Sequence, residues 1–200
     1  MTKPWKSRLH SPYLAVAARG NYLSVDRPET QYAAKECSQW MSAPTALAMA
    51  GLKRLRRYLE GSRRLVMKYP WQSAARIEGY SDTDWAGCPR TRKSTSGGAV
   101  MIGSHTIRTY SSTQTLVPLS SGEAEYYGIV KAASQGIGIK SLCKDFSREV
   151  SLEVLTDASA ARSIANRVGL GKVRHIDTHY LWVPVSYTHL RAHETPEHRG

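Results

Sequence analysis

Phenylalanine occurs once in this chain of 200 residues, cysteine three times, and Asp and Glu number 16 against 28 Lys and Arg. No apolar run approaches the roughly 18 residues of a membrane-spanning helix, so no membrane partner is expected. The opening Met1-Thr2-Lys3-Pro4-Trp5-Lys6 lacks the apolar stretch of a secretory leader. Cys37, Cys88 and Cys143 stand far apart and form no Cys-x-x-Cys, which excludes a zinc ribbon. Free thiols in an intracellular, reducing compartment are the expectation, with cytoplasm and nucleus both open. The 41% apolar content is enough to fill a core.

The shortage of acid is uneven. Residues 1–75 hold 13 Lys and Arg against 4 Asp and Glu, residues 76–183 hold 13 against 10, and residues 184–200 balance. The excess is densest at Lys53, Arg54, Arg56 and Arg57, followed by Arg63, Arg64 and Lys68. Such a cluster suits a polyanion, because each phosphate contact releases condensed counterions. A solvated helix face is the ordinary meaning of a charge run. Here four of the five residues from 53 to 57 are basic with almost no acidic partner, and nucleic acid is favoured.

Apolar spacing predicts helices over 13–23, 30–41 and 45–59. Pro28 restarts the chain, Thr45 caps the third helix and Gly61 lies just past its end. A strand is expected over 64–69 and a linker over 70–75. Beyond lies a mixed α/β pattern: a strand over 76–82, then a turn-rich loop over 84–96 carrying Arg90, Arg92 and Lys93. Strands over 97–102 and 106–111 follow, joined by a short hairpin loop. Ser120 with Glu123 three residues on is a capping-box signature opening a helix to about residue 146. A strand over 152–156 and helices over 158–167 and from 175 to 183 complete the pattern.

Carboxylates recur at the strand ends. Residues 77–87 read Ile-Glu-Gly-Tyr-Ser-Asp-Thr-Asp-Trp-Ala-Gly, an extended run ending in Asp82 and Asp84. Residues 151–157, Ser-Leu-Glu-Val-Leu-Thr-Asp, repeat the design and end at Asp157. Between them the helix start Ser120-Ser121-Gly122-Glu123-Ala124-Glu125-Tyr126 adds two more. Carboxylates from two strand ends and one helix are what a magnesium-dependent phosphodiester-cleaving site requires.

These residues carry a family resemblance. Asp26-Arg27-Pro28, Met41-Ser42-Ala43-Pro44, Leu52-Lys53-Arg54-Leu55 and Tyr80-Ser81-Asp82-Thr83-Asp84-Trp85-Ala86-Gly87 occur in order. Arg92-Lys93-Ser94-Thr95-Ser96-Gly97-Gly98, Glu123-Ala124-Glu125-Tyr126, Thr156-Asp157 and His175-Ile176-Asp177 follow. Over about 13–183 the chain resembles the Pol polyprotein of copia-type LTR retrotransposons, from the end of the reverse transcriptase into its ribonuclease H domain. The resemblance implies a helical thumb or connection segment over 1–75 and a ribonuclease H-like α/β domain, a mixed sheet with flanking helices, over 76–183. No Tyr-x-Asp-Asp motif is present, so DNA synthesis is not expected.

By the same resemblance Asp82, Glu125 and Asp157 are the catalytic carboxylates and hold two Mg2+ ions, with Asp84 a rival for the first position and Glu123 a helix cap. The implied reaction is two-metal hydrolysis of the RNA strand of an RNA–DNA hybrid. Lys53, Arg54, Arg56, Arg57, Arg90, Arg92 and Lys93 contact nucleic acid, and the rest of the Pol polyprotein is a partner. The order Asp, Glu, Asp disfavours the integrase-like relatives, which place Glu last. Residues 184–200 look nothing like the family and are expected to be an unrelated, disordered tail, with the fold's last strand and helix missing. Little cleavage is therefore expected of these 200 residues alone, and an inactive nucleic-acid-binding remnant is the alternative. Asp177 is read as a helix cap, and His175 with His179 as surface residues lacking a third metal ligand. Trp85 either stacks on nucleic acid or packs internally; the serines from 94 to 96 either touch phosphate or lead into a strand.

Overall fold

Helical spacing of Leu52 and Leu55 buries one side of a helix and leaves Lys53, Arg54, Arg56 and Arg57 exposed on the other. The computed structural model describes residues 10–166 and the three-residue strand Leu190–Ala192. The chain divides into two compact units, Met1–Lys68 and Tyr69–Gly200.

In the first unit α1 (His10–Leu23), α2 (Gln31–Ser38) and α3 (Ala46–Gly61) pack around Tyr13, Ala17, Cys37, Ala48 and Leu52. The Tyr13 hydroxyl donates to the Cys37 carbonyl at 2.6 Å, which satisfies a buried polar group within that core. Pro28 opens a 3-10 turn, Pro28–Thr30, ahead of α2. Thr45 caps α3 as expected, its side chain accepting from the Ala48 N–H at 3.1 Å. Residues 62–75 contain neither helix nor strand, so the strand expected over 64–69 is absent. Its apolar residues Leu65, Val66 and Met67 are exposed, and none of the described strands pairs with them to reward extension.

The second unit is built on β1 (Arg76–Asp84), β2 (Thr95–Ile102), β3 (His105–Thr113), α4 (Ser121–Asp145), β4 (Ser151–Thr156), α5 (Ser159–Ala165) and β5 (Leu190–Ala192). The sheet order is β3-β2-β1-β4-β5, with β1 central. Pairs β1–β2 and β2–β3 are antiparallel, whereas β1–β4 and β4–β5 are parallel. This is the expected ribonuclease H-like mixed α/β sheet. Two outcomes differ from expectation: β1 runs two residues further, to Asp84, and residues 190–192 of the supposed disordered tail pair with β4. The helix expected from 175 to 183, with His175, Asp177 and His179, lies outside the described residues.

Alternation on β1 turns Ile77, Gly79, Ser81 and Thr83 inward and leaves Asp82 and Asp84 exposed. Helix α4 lies on the inward face, and Gly128 lets it come close: a Cβ there would stand 2.6 Å from both Ser81 Oγ and Thr83 Oγ1. Gly136 does the same against Leu152. The two glycines, which weaken a helix by propensity, here set the distance between helix and sheet. Gly128→Val is therefore expected to destabilise the second unit by about 3 kcal/mol, the upper range of overpacking. Urea denaturation of both proteins checks this; an unchanged midpoint would mean the helix is not seated so closely.

A strap precedes the sheet. The Gln72 side chain donates to the Ile102 carbonyl at 2.7 Å and accepts from the Ser104 N–H at 3.0 Å. It thereby clamps the β2–β3 turn, where Gly103 adopts φ +56°. The Tyr69 ring meets His105 edge-on, with centroids 5.2 Å apart.

Candidate active site

Strands β1 and β4 run parallel side by side with Tyr80 opposite Leu155. Asp82 stands two residues past Tyr80 on β1, and Asp157 two residues past Leu155, just beyond the end of β4. Both aspartates are exposed. Carboxyl ends of parallel strands are where open α/β sheets place ligands, since the chain there turns away and leaves a crevice. Asp157 is held in its turn by Thr156, whose Oγ1 accepts from the Ala158 N–H at 3.2 Å.

Glu125 arrives from the start of α4. Its Oε1 accepts the Thr83 N–H at 3.2 Å, which fixes the helix carboxylate beside β1 one residue past Asp82. Its Oε2 is buried without a hydrogen-bond partner. Burial, and then the charges of Asp82 and Asp157, push the Glu125 carboxyl up to about 7, against a smaller opposing effect of the Thr83 hydrogen bond. The three carboxylates thus share one field, although repulsion ranks behind burial.

The donor set is carboxylate oxygen throughout, which suits a hard cation such as Mg2+. The orphaned Glu125 Oε2 is the kind of acceptor that a cation satisfies. Among the described residues, as placed, no group of three His, Cys, Asp or Glu is gathered into a ready-made metal cage. The residues fit a divalent ion in chemistry and location, without a preformed cage.

Other acidic candidates separate by what their oxygens already do. Glu123 is a cap: its N–H donates to Ser120 Oγ at 3.2 Å, while its carboxylate accepts from the Leu119 N–H at 2.8 Å and the Tyr127 hydroxyl at 2.6 Å. Asp84 does share the Asp82 face, because β1 stays extended that far. Its carboxylate, however, lies where a Cβ on Gly87 would be, and it does not figure among the charges acting on Glu125. Asp84 belongs to the turn.

Nearby loop residues are structural in the same sense. The Trp85 indole N–H donates to the Pro118 carbonyl at 3.3 Å, with the ring half exposed. Ser94, Thr95 and Ser96 are buried, and Ser94 Oγ accepts from the Ala86 N–H at 3.0 Å. Arg90 and Arg92 are exposed and Lys93 half-buried on this loop, which is closed by the Arg92 N–H on the Cys88 carbonyl at 2.8 Å. In the first unit Arg56 pairs with Glu60 at 2.8 Å; among the described ion pairs Lys53, Arg54 and Arg57 do not appear. Gly128 is the site residue that periodicity missed. Its signal was position, one helical turn after Glu125.

The chain is 30% identical over 191 residues to the Retrovirus-related Pol polyprotein from transposon RE1 of Arabidopsis thaliana, covering 93% of this chain and 13% of that protein. To the Pol polyprotein from transposon RE2 of the same plant it is 31% identical over the same shares. A Secreted RxLR effector protein 161 of Plasmopara viticola is 34% identical over 127 residues, 63% of this chain and 89% of the effector. No family model matches, and no solved structure does. The Pol polyproteins account for nearly the whole chain, which spans about an eighth of their length. No described helix is long and apolar enough to cross a membrane. The chain belongs to the retrovirus-related Pol polyproteins of copia-type transposons, as a segment of that longer protein.

Proposed function

We propose that the second unit is the ribonuclease H of this polyprotein, hydrolysing the RNA strand of an RNA–DNA hybrid, and that the first unit is the reverse transcriptase's connection segment. The observation that carries the reading is Glu125, tied to the Thr83 N–H and acted on by the charges of both Asp82, from β1, and Asp157, just past β4. Asp82, Glu125 and Asp157 would hold two Mg2+ ions, which when bound supply the activation of water and the stabilisation of the leaving oxygen. The Thr83 N–H orients Glu125, and the Ser120–Glu123 cap holds the helix start that presents it. Glu125, its carboxyl raised to about 7, is about half protonated near neutral pH. Selection for RNA comes from the 2′-hydroxyl and hybrid shape rather than base sequence.

The test is Mg2+-dependent cleavage of an end-labelled hybrid by this segment within its Pol polyprotein. Cut RNA with intact DNA is expected, and equal cutting of both strands would refute the ribonuclease H reading. The exposed basic face of α3 is expected to grip the backbone. Replacing Arg54 and Arg57 with Ala should flatten the salt dependence of hybrid binding by about one unit of slope per lost phosphate contact. Fluorescence anisotropy across a salt series measures it; an unaltered slope would place the grip elsewhere.

A further inference from the structure

A second polar feature lies on the α4 face of the sheet, against the edge strand β3. A cleft of about 280 Å3 opens between the end of β3 and α4, lined among others by Ser112, Thr113, Thr115, Lys131 and Ser134. No acidic residue lines it. Half-buried Lys131 donates to Ser112 Oγ and lies over the Tyr110 ring, 5.1 Å from its centroid. Among the described ion pairs it meets no carboxylate, and the charge acting on it is that of another cation, Arg108. Arg108, Tyr110 and Ser112 alternate along β3, so these groups project to one side of the edge strand.

A half-buried ammonium with no carboxylate is costly unless an anion answers it. The hydroxyls around it are donors that a phosphate oxygen accepts from. Desolvation lowers the Lys131 pKa, with Arg108 adding to it, and a bound anion would oppose that shift by favouring the charged ammonium.

The position fits an extended polyanion. Thr83, Ser96 and Ser112 stand in one row across β1, β2 and β3, which puts the cleft about 10 Å from the strand that carries Asp82. Along α4, Lys131 follows Glu125 by six residues, about 9 Å of helix. Both the cleft and the acidic site therefore open toward the same end of the sheet.

We propose that the Lys131 cleft binds a phosphate group of a nucleic-acid backbone, at a subsite separate from the carboxylates. The proposal rests on the hybrid-hydrolase reading for its choice of polyanion, but binding is measured without cleavage. The full chain in EDTA is titrated with a labelled RNA–DNA hybrid and, separately, with inorganic phosphate, following the amide resonances of Thr113, Thr115 and Lys131. Saturable shifts with the hybrid at micromolar concentration and weak shifts with phosphate identify the backbone as the source. Equal saturation by free phosphate would overturn the nucleic-acid assignment in favour of a small-anion pocket.

Lys131→Gln should weaken hybrid binding about five- to tenfold and reduce the salt slope by about one. Ser134→Glu, on an exposed rim position, should weaken it comparably by repulsion without touching the core. Full hybrid affinity and slope in both folded variants would overturn the proposal. Absence of Mg2+-dependent hybrid cleavage by the parent segment within its Pol polyprotein, with these binding effects intact, would instead count against the hydrolase reading.

Discussion

Asp82→Asn is expected to lower hybrid cleavage on the order of a thousandfold, equivalent to about 4 kcal/mol of transition-state stabilisation. The carboxylate is exposed near the end of the central strand, next to the residue whose N–H holds Glu125, and its charge acts on Glu125 together with that of Asp157. Asparagine keeps the size and removes the charge, so the fold should persist while affinity for a divalent cation falls. Asp84→Asn provides the comparison. Its side chain lies against Gly87 in the turn, and its loss should cost stability yet leave the rate within a few-fold. Single-turnover cleavage at saturating Mg2+ and calorimetric cation titration separate the two. Equal losses for both variants would make the pair act together, contrary to the geometry.

Glu125→Gln is expected to raise the melting temperature at pH 8 in the absence of divalent cations, and to change it little at pH 5. The folded carboxyl titrates at about 7, above its ordinary value of 4.5. Between those values the folded chain holds a proton that the unfolded chain has released, so this group's contribution to stability falls as pH rises from about 4.5 and levels off above 7. At pH 8 the native protein holds an ionised, half-buried carboxylate beside two others; the amide carries no such charge. A gain of about 3 °C is the response of a domain this size to roughly 1 kcal/mol, a figure already discounted for partial exposure. Millimolar Mg2+ should stabilise the native protein at pH 8 and the variant much less, because only the ionised form attracts the cation. A melting shift of the same size at both pH values would assign the effect to packing.

Much of this site was legible because its parts are local. Ser120 and Glu123 announce the start of α4 three residues apart, and Asp157 ends a run whose apolar residues fit only a buried strand. What escaped depends on contacts between distant segments. Extension to Asp84 is stabilised by pairing with Thr95, and nothing within β1 itself signals it. The apolar run after Arg64 has the composition of a strand but pairs with none of the described strands, so it stays irregular. Gly128 and Gly136 look like flaws in a helix until Ser81, Thr83 and Leu152 are brought against them. Nothing in the sequence singles out Lys131, because its half-buried cleft is made with Ser112, 19 residues earlier in the chain.

The Gln72 clamp on the β2–β3 turn has a consequence for how the polyprotein comes apart. Residues 63–68 are exposed and contain Arg63, Arg64 and Lys68, all ready trypsin sites. From Tyr69 onward the chain is fastened to the hairpin by the Tyr69–His105 contact and by both ends of the Gln72 amide. A protease should therefore nick before the strap and stop there, releasing a fragment that begins near residue 69 and keeps Asp82, Glu125 and Asp157 together. The irregular stretch from 62 to 75 is thus two segments of opposite character, a cleavable leash and a fixed buckle. The natural boundary for excising the second unit falls between them, several residues before the first strand begins.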